Sequence, residues 1–474
     1  MATSRYQPTS FLLEDTDGEG ETIDVPDRAA GGVFARVRAA GPREAETALA
    51  RATEAESAMR ETSLVERAGW FETIADELAD RREELADAIV REAGKPITSA
   101  RSEVETAIER VRRTVEEVRD LQGEFREGTT AGHEGWEAIV KPHPIGTVLC
   151  LTPYNYPLAT TALQVMPALA AGNSVVLKPA TKTPISAALL ADCIDAVDLP
   201  EGSFSYVPGR AGEIGDVLVG NDRIDAVAMT GSASAGERVA RQSGMVNLHM
   251  ELGGNAPALV FPDADLDAAV GECARGAFRY AGQRCSAVSR ILVHESVHDA
   301  VVERLDAQMD AWVAGDLFDD ATTLSPLIDR DQGRYVAELV DDAVERGADL
   351  VRGGTRDGAY YEPTLLANVP HDARLIEEEQ FGPVAVVTAF EDESEALAIA
   401  NAGELGLDAA VFTSDYDRAH GLADRIEAGT VRINGAPSHG LGDIPFGGVE
   451  ESGIGREGIG YTIAAFTTTK TIVL

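Results

Sequence analysis

The 474-residue chain carries Lys+Arg 41 against Asp+Glu 80, a net charge of −39, with 44% hydrophobic residues. That length allows two or three domains with filled cores, the apolar fraction excludes a disordered chain, and the negative field excludes nucleic acid and anionic membrane as partners. Lysine occurs only at positions 95, 141, 178, 182 and 470. A lysine-poor, carboxylate-rich surface is expected of a halophilic protein in a salt-packed cytoplasm, where screening removes self-repulsion. The cysteines at 150, 193, 273 and 285 show neither metal spacing nor close pairs, so the expectation is a reducing compartment and no structural metal. Met1 to Tyr6 lacks an apolar signal core, and the longest mostly apolar stretch, 158–171, is interrupted by Gln164 and Pro167. It is too short to span a bilayer, so neither export nor anchoring is expected.

Apolar residues three or four apart predict amphipathic helices over 43–60, 64–93 and 99–120. A glycine-punctuated turn region, 125–135, follows, flanked by candidate strands. From 145 the pattern alternates: strand 146–151, helix 158–171, strand 173–178, helix 184–197, strand 204–207, and strand 224–229 leading into a turn at 231–236 and another helix. Such alternation predicts an α/β fold with an open parallel sheet, whose ligand lies beyond the carboxyl ends of the strands. A second α/β set follows: strand 257–261, helix 265–280, strand 290–294, helix 296–313 and strand-helix-strand patterns over 384–433. The glycine-rich run 445–458 reads as a long functional loop and 466–474 as a terminal strand.

Three cysteines lie within strand or helix patterns and read as small buried hydrophobes. Cys285 differs, because it follows the turn Gly282-Gln283-Arg284, where a neighbouring guanidinium would favour thiolate. Two readings stand, a structural loop cysteine and a nucleophile. Glu251 stands between Met250 and Leu252 with two glycines following; close packing there would desolvate the carboxylate and bring its pKa toward that of a general base. Against that stands the solvated role most of the 80 carboxylates must have. Gly231 to Gly236 opens a helix after a strand, where backbone N–H groups can approach a pyrophosphate, although it lacks the full G-x-G-x-x-G pattern. Lys178 ends a strand, as a surface lysine or a ligand-binding one.

Seven segments then occur in a familiar order: Thr152-Pro153-Tyr154-Asn155-Tyr156-Pro157, Leu177-Lys178-Pro179-Ala180, Thr230-Gly231-Ser232, Met250-Glu251-Leu252-Gly253-Gly254-Asn255, Gly282-Gln283-Arg284-Cys285, Glu379-Gln380-Phe381-Gly382-Pro383 and Pro445-Phe446-Gly447-Gly448. Together they resemble the aldehyde dehydrogenase superfamily from about residue 20 to the C-terminus. The resemblance implies a Rossmann-like cofactor domain over 1–118 and 143–249, an α/β catalytic domain over 250–442, and a small β oligomerisation element from 119–142 with 443–474. It implies a homodimer or homotetramer, with exposed strand edges pairing between subunits.

The same resemblance implies that Cys285 attacks an aldehyde, that Asn155 and the Cys285 N–H hold the oxyanion, and that Glu251 activates water against the thioester. Lys178, Thr181, Lys182, Gly231, Ser232, Glu379 and Phe381 fall on the cofactor side; Tyr156, Arg284, His439 and Phe446 fall on the substrate side. NAD-preferring members often place a glutamate three residues after the lysine. Here that position is Thr181, followed by Lys182, and the exchange of a carboxylate for a cation favours NADP, with NAD still possible. The segment around Cys285 looks closest to the branch of lactaldehyde and non-phosphorylating glyceraldehyde-3-phosphate dehydrogenases. Of the arginines that bind phosphate there, Arg284 matches one, while two others fall on Glu105 and His439. A carboxylate at a phosphate contact costs affinity, so a small hydroxyaldehyde such as lactaldehyde or glyceraldehyde is expected ahead of the phosphorylated triose or a semialdehyde. A CoA-acylating enzyme, an acyl reductase and a silent scaffold are the rival readings, and the retained Glu251 counts against the first two.

Overall fold

The computed structural model describes residues 21–474; the N-terminal segment read for a signal core lies outside the described residues. Two twisted sheets organise the chain. The first has six strands in the order Gly453–Ile454, Asn247–Glu251, Ala226–Thr230, Thr147–Leu151, Ser174–Lys178, Phe204–Tyr206. All pair in parallel except the short Gly453–Ile454 edge. Val148, Leu149 and Cys150 are fully buried, as are Val175, Val176 and Leu177, which is why these strands read as continuous apolar runs: a parallel sheet is covered on both faces. Leu149, Val176 and Val227 face the helices Pro42–Glu61 and Ala211–Val219. Their neighbours Val148, Cys150, Val175 and Leu177 face the helices Leu64–Asp80, Ile97–Asp120 and Ala159–Ala170. Chain order reverses between Thr147–Leu151 and Ala226–Thr230, the crevice where such sheets bind ligands.

The second sheet has seven strands, ordered Asp349–Arg352, Thr364–Ala367, Val384–Phe390, Val288–His294, Ala256–Val260, Asp408–Phe412, Thr430–Ile433. Only Asp349–Arg352 runs antiparallel. A separate antiparallel sheet joins Thr467–Val473, Glu137–Pro144 and Glu124–Glu127, with Glu124–Glu127 exposed along its whole length. Among the described residues no helix is long and apolar enough to cross a membrane.

Several predicted elements are redrawn. The helix expected over 64–93 is two, Leu64–Asp80 and Arg82–Ala93, broken at Arg81 (φ −103°, ψ 18°). The break lets Leu85, Ala86, Ile89 and Val90 turn into the core. The helix expected over 265–280 stops at Phe278, because Tyr280 and Ala281 take positive φ. The helix expected over 296–313 covers His298–Gln308. The turn expected at 231–236 shrinks to Gly231-Ser232, since the Ser232 side chain caps a helix starting at Ala233. Periodicity missed the helix Arg330–Glu345, whose buried face is Val336, Leu339, Val340 and Ala343. The helix Ile459–Ala465 fills the gap between the loop expected over 445–458 and the strand expected over 466–474.

Candidate active site

Glu251 closes the strand Asn247–Glu251, in register with Thr230 on one side and Gly453 on the other. It is 2% exposed. The strand's exit carries glycine for a steric reason: a Cβ at Gly254 would lie 2.5 Å from the Cys285 carbonyl oxygen and 3.0 Å from Leu407 Cβ. The glycine therefore lets the Glu251 segment and the Cys285 turn close on each other. Gln283 fixes that turn from the other side, accepting from the Ile328 N–H (2.7 Å) and donating to the Pro326 carbonyl (3.1 Å). Cys285 and Glu251 are thereby brought within reach of each other's charge, and Glu251 Oε1 is buried without a hydrogen-bond partner. The Asn155 amide, 6% exposed, points one N–H at the Gln283 carbonyl (3.1 Å) and accepts from the Tyr156 N–H. Its second N–H is available to an oxyanion.

Burial pushes the Glu251 carboxyl well above the carboxylate range, and the nearby Glu457 charge pushes the same way. Burial also pushes the Cys285 thiol well above its ordinary value, with Glu251 and Asp408 adding to the rise. Arg284 opposes them but is outweighed. Arg284 thus acts in the expected direction without prevailing; its guanidinium, 7% exposed, donates to the Gly276 carbonyl, the Ser286 hydroxyl and the Pro437 carbonyl. Cys150, Cys193 and Cys273 are buried, while Cys285 alone is partly exposed.

A buried chain of charged groups backs the site. Arg110, on the helix Ile97–Asp120, meets His439 Nδ1 at 2.8 Å and donates to the Gly440 carbonyl. His439 Nε2 meets Glu457 Oε2 at 2.8 Å. Burial works to raise Glu457, but the His439 hydrogen bond and the charges of His439, His249 and Arg110 leave it lowered. Phe446, 2% exposed, packs its ring 4.3 Å from that of His439. Glu457 and Arg110 were not singled out from the sequence. Glu457 sits inside a run notable for its glycines, and Arg110 is one of many arginines on an amphipathic helix; only the fold separates them from surface charges.

On the other side of the nucleophile turn, Lys178 ends the strand Ser174–Lys178. It is 8% exposed, its amine donates only to the Pro179 carbonyl (3.3 Å), and burial lowers it to about 8. A buried ammonium with no anionic partner fits a ribose hydroxyl or phosphate. Gly231 and Ser232 stand at the end of the next strand but one, with Ser232 capping the following helix. Glu379 accepts from the Gly254 N–H (3.1 Å), and burial raises it to about 7. Phe381, at φ 45°, sets its ring edge-on to Tyr154. The Thr181 hydroxyl donates to the Gly209 carbonyl. Lys182 departs from expectation, being paired with Asp329 at 2.5 Å and lying 5.5 Å from the Tyr154 ring centroid. It is not a free cation.

The profile of the Aldehyde dehydrogenase family matches residues 15–472. The chain belongs to the aldehyde dehydrogenase family. It is 37% identical over 455 residues to an NADP-dependent glyceraldehyde-3-phosphate dehydrogenase of Streptococcus equinus, covering 96% of this chain and 95% of that one. It is 33% identical to a lactaldehyde dehydrogenase of Methanococcus maripaludis, over 96% and 97% of the two chains. The crystal structure of an NADP-dependent glyceraldehyde-3-phosphate dehydrogenase from Bacillus halodurans in complex with NADP superposes with a TM-score of 0.94 at 35% identity, covering 96% of each chain. This aldehyde dehydrogenase thus shares its fold with enzymes acting on small aldehydes, and the arrangement of thiol, carboxyl and amide is suited to forming a thioester from an oxidised aldehyde and handing its acyl group to water.

Proposed function

We propose that this aldehyde dehydrogenase oxidises a small hydroxyaldehyde, such as lactaldehyde or glyceraldehyde, to the carboxylic acid, preferring NADP and able to use NAD. The observation that carries the chemistry is the close packing of the Cys285 turn on the Glu251 segment at Gly254, with Glu251 Oε1 buried and unpartnered and the Asn155 amide held by the Gln283 carbonyl of the same turn. Cys285 loses its proton to Glu251 and attacks the carbonyl, and Asn155 and the Cys285 N–H hold the oxyanion. The nicotinamide, when bound, accepts the hydride. Glu251, freed of its proton, then activates the water that hydrolyses the thioester. Lys178, Thr181, Gly231, Ser232, Glu379 and Phe381 hold the cofactor. The NADP preference rests on the missing carboxylate at Thr181 and not on Lys182, which Asp329 neutralises. Residues 21–118 and 143–249 serve the cofactor, 250–442 the chemistry, and 119–142 with 443–474 subunit pairing into a dimer or tetramer in a salt-rich cytoplasm.

A hydroxyaldehyde is favoured over the phosphorylated triose because two of the groups expected to meet phosphate are occupied. Arg284 serves three protein oxygens and His439 bridges Arg110 to Glu457. Tyr156 and Phe446 shape the remaining wall. NADPH formation across an aldehyde panel in molar KCl tests this reading; a higher kcat/KM for glyceraldehyde 3-phosphate than for lactaldehyde or glyceraldehyde would reject it.

A further inference from the structure

Asp408 opens the strand Asp408–Phe412, is 2% exposed, and has neither carboxyl oxygen hydrogen-bonded. Its register partner Thr430 also has an unpartnered buried hydroxyl. The charges facing Asp408 are Arg284 and Arg432. Neither guanidinium has a carboxylate in ion-pair contact: Arg284 is held by the Gly276, Ser286 and Pro437 oxygens, Arg432 by the Ala436 carbonyl (3.1 Å) and Ser438 hydroxyl (2.7 Å). Two guanidiniums without a carboxylate contact thus face one buried carboxyl without a hydrogen bond. Burying a carboxyl in this way is costly, and an alanine or asparagine would cost less. The residue before it, Leu407, meets the Cys285 backbone across Gly254, where no side chain could fit. The Asp408 charge therefore lies directly behind the nucleophile turn.

We propose that Asp408 is a positioning residue that, balanced against Arg284, sets the pH at which the Cys285 thiol ionises. The proposal rests on Cys285 being the nucleophile. Burial raises the Asp408 carboxyl to about 8, with Arg284 and Arg432 holding it back. It gains its charge in the alkaline window, and that charge lands beside the thiol and cancels part of the Arg284 field. The groups acting on Cys285 are then Glu251 from one strand, Asp408 from another, Arg284 from its own turn and Arg110 from the helix Ile97–Asp120. Two carboxyls oppose thiolate and two guanidiniums favour it. With the carboxyls dominant, Cys285 stays a thiol through the neutral range and yields thiolate as the pH rises.

The test is the pH dependence of iodoacetamide alkylation at Cys285 in the full-length chain, followed by mass mapping of the Cys285 peptide. Asp408→Asn removes the charge and keeps the shape, and its midpoint should fall by about one pH unit, the size expected when one like charge is removed from a buried neighbourhood. Asp408→Glu should restore the wild-type midpoint. If Asp408→Asn does not fold, Asp408→Ser, smaller and equally uncharged, should show the same fall. A midpoint unmoved in a folded uncharged variant overturns the proposal, because a merely structural carboxyl would not tune the thiol. Full turnover after complete Cys285 alkylation overturns the nucleophile assignment and this proposal with it.

Discussion

Lys95 and Glu103 pair at 2.5 Å with side chains 1% and 0% exposed, whereas Arg101, two residues before Glu103, pairs at 2.9 Å with Glu83 of the helix Arg82–Ala93, the two side chains 48% and 70% exposed. The first pair is sheltered, with the lysine amine 3.4 Å from the Tyr156 ring centroid and 4.5 Å from that of Tyr280. The second stands in solvent, where ion pairs contribute little and salt screens them. The same contrast separates Glu251, Glu457 and Asp408 from the carboxylates that carry most of the −39 charge. Interior charges are few, and several answer to a named neighbour: Glu103 to Lys95, Glu457 to His439 and Arg110, Asp408 to Arg284 and Arg432. Surface charges act through their sum. Chemistry should therefore respond to single interior substitutions and stability to bulk salt, and each experiment below tries to break that division.

The largest effect is expected from Cys285→Ala, which should abolish aldehyde oxidation while the cofactor still binds, as read by quenching of protein fluorescence on NADPH addition. Measurable steady turnover would remove the interior thiol from the mechanism. Next comes Glu251→Gln, expected to lower steady-state kcat by about two to four orders of magnitude, the usual contribution of a general base. A burst of NADPH in that variant would place the defect in hydrolysis, whereas loss of the burst as well would place the same carboxyl in deprotonating Cys285. Because only ionised Glu251 can take a proton, and its ionisation lies well above the carboxylate range, wild-type kcat should climb with pH through neutrality. A flat profile from pH 6 to 9 would contradict the burial argument. Salt tests the other half: the melting temperature should fall markedly from molar KCl to dilute buffer, while the pH midpoint of kcat, governed by buried groups, should barely move. Equal stability in both media would sink the salt-adapted reading of the surface.

Legibility followed the same division. The sheet strands could be read because both faces are buried and the residues form continuous apolar runs, as in Val175-Val176-Leu177. Cys285, Glu251 and Asn155 could be placed because glycine and proline flank them in fixed order. Arg110, Asp408 and Glu457 could not, since nothing local distinguishes a buried charge from the 26% of residues that are charged. Their significance comes from contacts across long separations, such as the 329 residues between Arg110 and His439. The break at Arg81 was hidden for a related reason: the hydrophobic period runs through it, and only the packing of both segments against the helix Ile97–Asp120 turns the second aside.

The smallest expected effect lies where the two regimes meet, at Lys182. Its side chain is 47% exposed and paired with Asp329, itself 34% exposed, so it belongs with the screened pairs although it stands four residues from Lys178. An exposed pair of this kind is worth at most about 1 kcal/mol, so Lys182→Ala should change the NADP to NAD ratio of kcat/KM by no more than about fivefold. Thr181→Glu, by contrast, would place a carboxylate where the Thr181 hydroxyl meets the Gly209 carbonyl. Repulsion of a 2′-phosphate there should turn the preference toward NAD. If Lys182→Ala reverses the preference and Thr181→Glu leaves it alone, Asp329 does not hold Lys182 in the bound enzyme, and the cation at 182 belongs to the interior set after all.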